Sequence, residues 1–425
     1  MNKSLHTDDL TAYLNTVGAS AKKAANALRL ASNEQRNTAI IAMAAHVRAA
    51  QDSIITANAE DMRLGEKKGL SPAMLDRLKL DKDRIESIAT GLEAVAALPD
   101  PVGAEDERWT RPNGLTIAKI RTPIGVIGMI YESRPNVTAD AASLCLKSGN
   151  ACVLRGGSEA LRSNTAIHQA LVKGLTKAGL PEASVQYINT TDRAAVGEML
   201  AGLNGSVDLI IPRGGKGLVG RVQSDARVPV LAHLEGLNHT YIHADADPDM
   251  ARDVVLNAKM RRTGICGSTE TVLIDEAALS VLPGVLNALK DAGCAIKGDE
   301  KARKTDDSLV PVTDADFRTE YLDAIINVKV VADIDEALTH IAEYGSGHTD
   351  AIITASEEAA SKFLSSVDSA IVLHNASTQY ADGGEFGFGA EIGIATGKLH
   401  ARGPVGAQHL TSYKYQVFGN GQTRP

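Results

Sequence analysis

The stretch Arg261-Arg262-Thr263-Gly264-Ile265-Cys266-Gly267-Ser268 holds the residue types most suited to covalent chemistry. A cysteine stands in a small-residue turn, between a cationic helix end and a strand. Its flanking glycines let backbone N–H groups approach a reacting carbonyl. Lys259, Arg261 and Arg262 are expected to lower the thiol pKa and favour thiolate, the nucleophilic form. The bland alternative is a small buried hydrophobe, which suits most lone cysteines. That alternative holds for Cys145 and Cys152, which sit in apolar runs, and for Cys294, whose neighbours are Ala292, Gly293 and Ala295.

Three further groups could meet an anion. Gly215-Lys216-Gly217-Leu218-Val219-Gly220 matches G-x-G-x-x-G after a strand and before a helix. Amides at a helix N-terminus favour phosphate, and Arg213 and Lys216 add charge beside Gly214 and Gly215. The match follows a late strand, however, where the standard dinucleotide fingerprint follows the first. Leu154-Arg155-Gly156-Gly157-Ser158 leaves another strand and opens a long helix, with Arg155 either a ligand or an ordinary exposed cation. Tyr131-Glu132-Ser133-Arg134-Pro135-Asn136 puts Arg134 and Asn136 at the carboxyl end of a strand, although Asn136 could simply cap the next helix. His233 ends a strand close to Glu235, where it can serve as acid, base or hydrogen-bond donor. A glycine-rich loop at 385–393 carries Glu391, and Arg402 follows in Lys398-Leu399-His400-Ala401-Arg402-Gly403-Pro404; charged glycine loops often touch ligands. The 11 histidines include no HExxH and no Cys/His ligand spacing, so the sequence gives a metal site little support.

These residues need a scaffold, and the hydrophobic periodicity supplies one. Residues 7–98 read as helices, with helix starts at Ser32 (paired with Gln35) and at Ser71-Pro72. The N-terminal 30 residues are helical and mixed in charge, unlike a signal peptide. Residues 108–121 read as a β-hairpin turning at Pro112-Asn113-Gly114. Strands are then expected at 125–130, 151–154, 185–188, 207–211 and 228–232, with helices at 137–147, 159–178, 192–201 and 218–224. A second alternating series has strands at 240–243, 270–274, 324–331, 350–353 and 370–373, and helices beginning near Asp249, Glu276, Ile334 and Glu357. Such alternation predicts α/β domains with parallel sheets. The charged segment 297–316 is expected to cross the surface. A last strand at 411–418 has little local partner and is expected to pair with the hairpin of a neighbouring subunit.

Composition agrees with that scaffold. The chain has 425 residues, enough for two or three domains, and is 44% hydrophobic but only 4% aromatic. Its core must be built from Ala, Val, Ile and Leu, which suits strands buried on both faces. A formal net charge of -8 argues against a nucleic-acid partner. No segment reaches the apolar length that spans a bilayer. The four scattered cysteines form no CxxC pair and read as reduced thiols of a cytoplasmic protein.

Together these stretches resemble the aldehyde dehydrogenase superfamily, most closely its γ-glutamyl phosphate reductase branch. The resemblance rests on 261–268, on 331–352 with Ala337-Leu338-Thr339-His340-Ile341 and His348-Thr349-Asp350, and on 398–406. It implies two Rossmann-like parallel-sheet domains plus a small β oligomerisation element. Residues 1–104 and 123–236 would bind the cofactor and 237–397 would carry the nucleophile. Residues 105–122 and 398–425 would form the oligomerisation hairpin and C-terminal strand. The implied reaction is NADPH-dependent reduction of L-glutamyl 5-phosphate in proline biosynthesis, through a thioester on Cys266. Asn136 would be the oxyanion donor. Arg155, Gly156 and Ser158 would meet the adenosine ribose; Arg213, Gly214, Gly215 and Lys216 the pyrophosphate; Glu320 the nicotinamide ribose. Arg134 and Arg262 are candidates for the substrate phosphate, Glu391 and Arg402 for its α-amino and α-carboxylate groups. Arg155, with no acid beside its Gly-Gly, favours NADPH over NADH. His233 falls where hydrolytic relatives carry the water-activating glutamate, although a register shift of two would put Glu235 there. A homo-oligomer is implied, with glutamate 5-kinase as the candidate donor of the labile acyl phosphate. A hydrolytic aldehyde dehydrogenase, a zinc-dependent histidinol-dehydrogenase-like enzyme and a non-catalytic dinucleotide-binding protein are the alternatives.

Overall fold

The computed structural model describes residues 7–424, so the first residues of the expected N-terminal helix lie outside the described region. Helices open the chain: α1 (Thr7–Leu28), α2 (Asn33–Ala49), α3 (Gln51–Lys67), α4 (Pro72–Leu78) and α5 (Lys82–Ala97). Their starts are written in the sequence. Ser32 Oγ accepts from the Gln35 amide at 3.1 Å, and Ser71 Oγ from the Met74 amide at 3.3 Å, with Pro72 in the first helical turn. The capping box at Ser32 is only half made, because Gln35 Nε2 donates to Ala178 O at 3.1 Å instead.

The hairpin follows as β1 (Glu105–Thr110) and β2 (Thr116–Pro123), turning through Gly114 at φ +84°. Next come β3 (Val126–Tyr131), α6 (Val137–Lys147), β4 (Ala151–Arg155), α7 (Leu161–Lys177), β5 (Val185–Tyr187), α8 (Ala194–Leu200), β6 (Leu209–Arg213) and α9 (Lys216–Asp225). Four of these strands make a parallel sheet in the order β5-β4-β3-β6. The strand expected at 228–232 is reduced to a single bridge between Ile210 and Val230. All residues of β3 and β4 are buried, since helices cover both faces.

The second series comprises β7 (Asn238–Ile242), α10 (Pro248–Met260), β8 (Thr269–Asp275), α11 (Leu282–Asp291), β9 (Ala295–Gly298), α12 (Glu300–Thr305), β10 (Val310–Pro311) and α13 (Asp314–Phe317). It continues with β11 (Ile325–Val331), α14 (Ile334–Tyr344), β12 (Thr349–Ile353), α15 (Glu357–Ser366) and β13 (Ile371–His374). Its sheet has seven strands in the order β10-β9-β11-β8-β7-β12-β13. The charged segment 297–316 is more structured than expected. Asp299 caps α12 by accepting from the Ala302 amide at 2.8 Å, and Leu309 is buried. Asp299 and Asp316 serve in helix caps, and Glu300, Asp306, Asp314 and Asp316 in ion pairs.

Two short strands, β14 (Ile394–Ala395) and β15 (Gly403–Pro404), pair with each other. Ile392, Ala395, Ala401, Val405, Ala407 and Leu410 pack into the core of the first sheet, so the chain returns to its N-terminal half. The final strand, β16 (Thr411–Phe418), runs antiparallel to β2 of the same chain over its full length. The expectation that it pairs only with a neighbour's hairpin is therefore corrected. Arg121 Nη1 donates to Gln408 O at 3.0 Å and secures the approach.

Candidate active site

The carboxyl ends of β3 and β6 face the loop that joins α10 to β8, across a cleft of about 1260 Å³. Each wall is positioned by the backbone. After β3 the chain turns through Ser133 at φ +34°, an uncommon value for a non-glycine residue. Glu159 holds it there, its Oε1 accepting from Ser133 N at 2.7 Å and from Ser133 Oγ at 2.8 Å. Arg134 and Asn136 are thereby presented to the cleft. Asn136 does not cap α6; its Nδ2 donates to Asp140 Oδ2 at 2.8 Å. Burial pushes the Asp140 carboxyl up to about 6, opposed by that hydrogen bond and by Arg213.

Cys266 lines the same cleft and is partly exposed. Its loop is clamped from below. Asn238 Nδ2 donates to Cys266 O at 2.6 Å and to Ser268 O at 2.9 Å, while Asn238 Oδ1 accepts from the Thr349 amide at 3.2 Å. Gly236 lies so close that a Cβ there would sit 2.0 Å from Cys266 O. Neither Asn238 nor Gly236 was singled out in the sequence. Gly236 carries a weak signal, as a glycine immediately before a buried strand, which often marks close backbone approach.

The expected electrostatics are corrected. Burial pushes the Cys266 thiol up to about 11; Arg213 opposes this, and Glu320 and Glu391 reinforce it. Lys259 does not face the sulfur. It points into the core, where its Nζ donates to Glu270 Oε2 at 2.7 Å with both side chains buried. Arg261 and Arg262 do line the cleft, and Arg261 Nη1 donates to Gln379 Oε1 at 3.4 Å. The site therefore holds a neutral thiol, not a standing thiolate.

His233 is a proton acceptor close to Cys266. Its Nδ1 donates to Ile394 O at 2.9 Å, which fixes the tautomer and leaves Nε2 with a bare lone pair. Burial lowers its pKa, opposed by the Ile394 carbonyl bond, and Arg213 lowers it further. A ring nitrogen of His233, Cys266 Sγ and a ring nitrogen of His348 all lie within 4.8 Å of one another. Glu235 also lines the cleft, but its Oε2 accepts from Lys216 Nζ at 2.6 Å.

The cations converge. Arg134, Arg213 and Arg262 share the cleft with Arg77 of α4 and with Arg84 of α5, which no sequence motif marked. Burial pushes the Arg134 guanidinium down to about 10, helped by Arg213, Arg77 and Arg262. Such mutual repulsion is relieved by an anionic ligand. Glu391 lies here too, accepting from the Gly383 amide at 3.0 Å, as does Glu320, whose Oε1 accepts from Gly236 N at 2.9 Å.

Other expected site residues stand apart. Arg402 is outside the cleft, its Nη1 donating to Asp368 Oδ1 at 2.7 Å, so it is not placed to meet the same ligand as Cys266. Arg155, Gly156 and Ser158 lie at the carboxyl end of β4, beside the cleft rather than in its lining. Arg155 Nε is buried without a hydrogen-bond partner, a vacancy of the kind a ribose or phosphate oxygen fills. An acid does sit beside the Gly-Gly pair: a Cβ on Gly157 would meet Glu159 Oε1 at 2.1 Å. In the glycine loop, the Gly215 amide donates to Glu132 Oε2 at 2.9 Å, so a phosphate there must displace that carboxylate.

Comparison with known proteins shows the family of the chain. The sequence pattern of the aldehyde dehydrogenase family matches residues 11–316. A γ-glutamyl phosphate reductase of Caulobacter vibrioides is 62% identical over 96% of this chain and 99% of its own. One from Parvibaculum lavamentivorans is 58% identical over 98% of this chain and 99% of its own. The crystal structure of the γ-glutamyl phosphate reductase of Thermotoga maritima superposes with a TM-score of 0.95 at 43% identity, covering 97% of this chain and all of that one. The chain belongs to the aldehyde dehydrogenase family and, within it, to the γ-glutamyl phosphate reductases.

Proposed function

We propose that Cys266 is the nucleophile through which this chain reduces L-glutamyl 5-phosphate to L-glutamate 5-semialdehyde and phosphate, with NADPH as the reductant. The observation that carries this reading is a thiol in a cation-lined cleft with a ring nitrogen of His233 within 4.8 Å of it. Cys266 Sγ attacks the γ-carbonyl carbon, and the thiol proton passes to His233 Nε2. The acyl C–O bond then breaks, and phosphate leaves as HPO₄²⁻ with a proton taken from solvent, its charge met by the arginines of the cleft. The Cys266 amide and Asn136 Nδ2 stabilise the oxyanion. Arg134 and Arg262, with Arg77 beside them, receive the phosphate, and Glu391 meets the substrate's amino group. The unpartnered Nε of Arg155 would gain a partner from a dinucleotide; Arg155, Gly156 and Ser158 would hold its adenosine end, Arg213 to Lys216 its pyrophosphate and Glu320 its nicotinamide ribose. Bound NADPH supplies the hydride that reduces the thioester carbonyl. His233 then returns its proton as the semialdehyde departs.

The function places the chain in proline biosynthesis, and we place it in the cytoplasm. Among the described residues no helix is long and apolar enough to cross a membrane. The acyl phosphate is labile, which favours transfer from glutamate 5-kinase. The test is NADP⁺ reduction by glutamate semialdehyde with and without phosphate. Strict phosphate dependence is expected, with at least a ~10³-fold loss in Cys266→Ala. Turnover without phosphate would favour the hydrolytic alternative, with Glu235 freed from Lys216 to activate water.

A further inference from the structure

We propose that Cys266, His233 and His348 form a site for a thiophilic divalent transition-metal ion, Zn²⁺ above all, whose binding reversibly blocks the nucleophile. Their donor atoms already lie within 4.8 Å of one another. Tetrahedral zinc, with Zn–N of about 2.0–2.1 Å and Zn–S of about 2.3 Å, sets donor separations of about 3.3–3.6 Å. Closing the gap needs side-chain shifts only. The two imidazoles are dressed as ligating histidines are, each with its Nδ1 engaged and its Nε2 left over. His233 Nδ1 donates to Ile394 O at 2.9 Å, and His348 Nδ1 lies 2.8 Å from Thr349 Oγ1. His348 is fully buried, and its Nε2 has no hydrogen-bond partner. The two rings meet edge to face with centroids 5.1 Å apart.

The frame that holds these donors is shared. Asn238 ties the Cys266 carbonyl to the Thr349 amide, so the cysteine loop and the start of β12 are held together. One sulfur and two imidazoles select Zn²⁺ over Mg²⁺ or Ca²⁺. The cleft side of Cys266 leaves room for a water as fourth ligand. On binding, the thiol proton passes to solvent and no electron is exchanged. The ligands sit at positions 233, 266 and 348, too far apart for any spacing rule to reveal them.

The test uses the whole protein, freed of metal with EDTA and dialysed, and Co²⁺ as a spectroscopic probe. One Co²⁺ per chain is expected, with a thiolate-to-cobalt charge-transfer band and the intense visible bands of four-coordinate cobalt. Zn²⁺ should displace it, inhibit turnover, and be reversed by EDTA. Alkylating Cys266 in the wild-type protein should abolish the charge-transfer band. His348→Gln, checked for folding by thermal unfolding, should weaken Zn²⁺ binding by at least ~10-fold. The proposal is overturned if bound Co²⁺ shows no thiolate band, if alkylated protein binds Zn²⁺ as tightly as before, or if folded His348→Gln retains wild-type Zn²⁺ affinity.

Discussion

At the scale of single residues, the proposed nucleophile lies where burial pushes its thiol pKa up. Burial disfavours both charged forms, pushing the Cys266 thiol up and the His233 imidazole down. The free enzyme should therefore react with iodoacetamide at a rate that climbs about tenfold per unit from about pH 7 to about pH 10. A plateau below pH 8 would show a standing thiolate and defeat this account. Glu391→Gln removes a negative charge near the sulfur and should speed alkylation at fixed pH; Arg213→Gln should slow it. Asn136 gives a second prediction. If its amide meets the oxyanion, Asn136→Ala should lower kcat about 10²-fold with little change in KM. Asp140 holds that amide at 2.8 Å, so Asp140→Ala should show a smaller loss of the same kind. A rise in KM with kcat intact would instead assign Asn136 to ground-state binding.

At the scale of elements, catalysis depends on how closely three segments approach. The turn before β7, the cysteine loop before β8 and the start of β12 meet around Gly236, Asn238 and Thr349. Gly236→Ala would force the Cys266 carbonyl aside and strain the amide that donates to Glu320. A displacement of this size near the reacting sulfur should lower kcat by about 10²-fold. A folded Gly236→Ala enzyme with wild-type kcat would remove the need for this contact. The strands themselves could be read from the sequence, because β3 is a continuous buried apolar run and β4, β8 and β12 are apolar or β-branched apart from Arg155, Glu270, Asp275 and Asp350. That Cys266, and none of the other three cysteines, lines the cleft could be read from its small-residue turn, Gly264 to Ser268. Direction was less legible. Lys259 and Arg262 are three residues apart at a helix end, yet one faces Glu270 in the core and the other the cleft. Convergence was invisible: His233, Cys266 and His348 meet only because β7 lies between β8 and β12 in the sheet.

At the scale of the whole molecule, the sheet of β1, β2 and β16 calls for a second chain. It has only three strands, and β1 and β16 are exposed along nearly all their length. A small sheet needs a buried apolar face for stability, and this one exposes its own. Tyr413, Tyr415 and Val417 alternate along β16 with 48%, 56% and 57% of their surfaces exposed. Trp109 of β1 joins them, its ring 6.0 Å from that of Tyr415 and nearly perpendicular to it. Contiguous aromatic surface of this kind is the usual mark of a protein interface, and aromatic anchors carry much of the binding energy there. We propose this sheet as a contact between copies of the chain. Pairing of β16 with β2 inside one chain does not satisfy it, because that pairing uses the strand's edge and leaves the face uncovered. Tyr415→Glu puts a charge at the centre of the patch and touches no residue of the cleft. Sedimentation should show the wild-type assembly shifting to monomer, with loss of the thermal stability that assembly confers. An unchanged mass would move the contact elsewhere on the surface, and a monomeric wild type would show that this face stays in water.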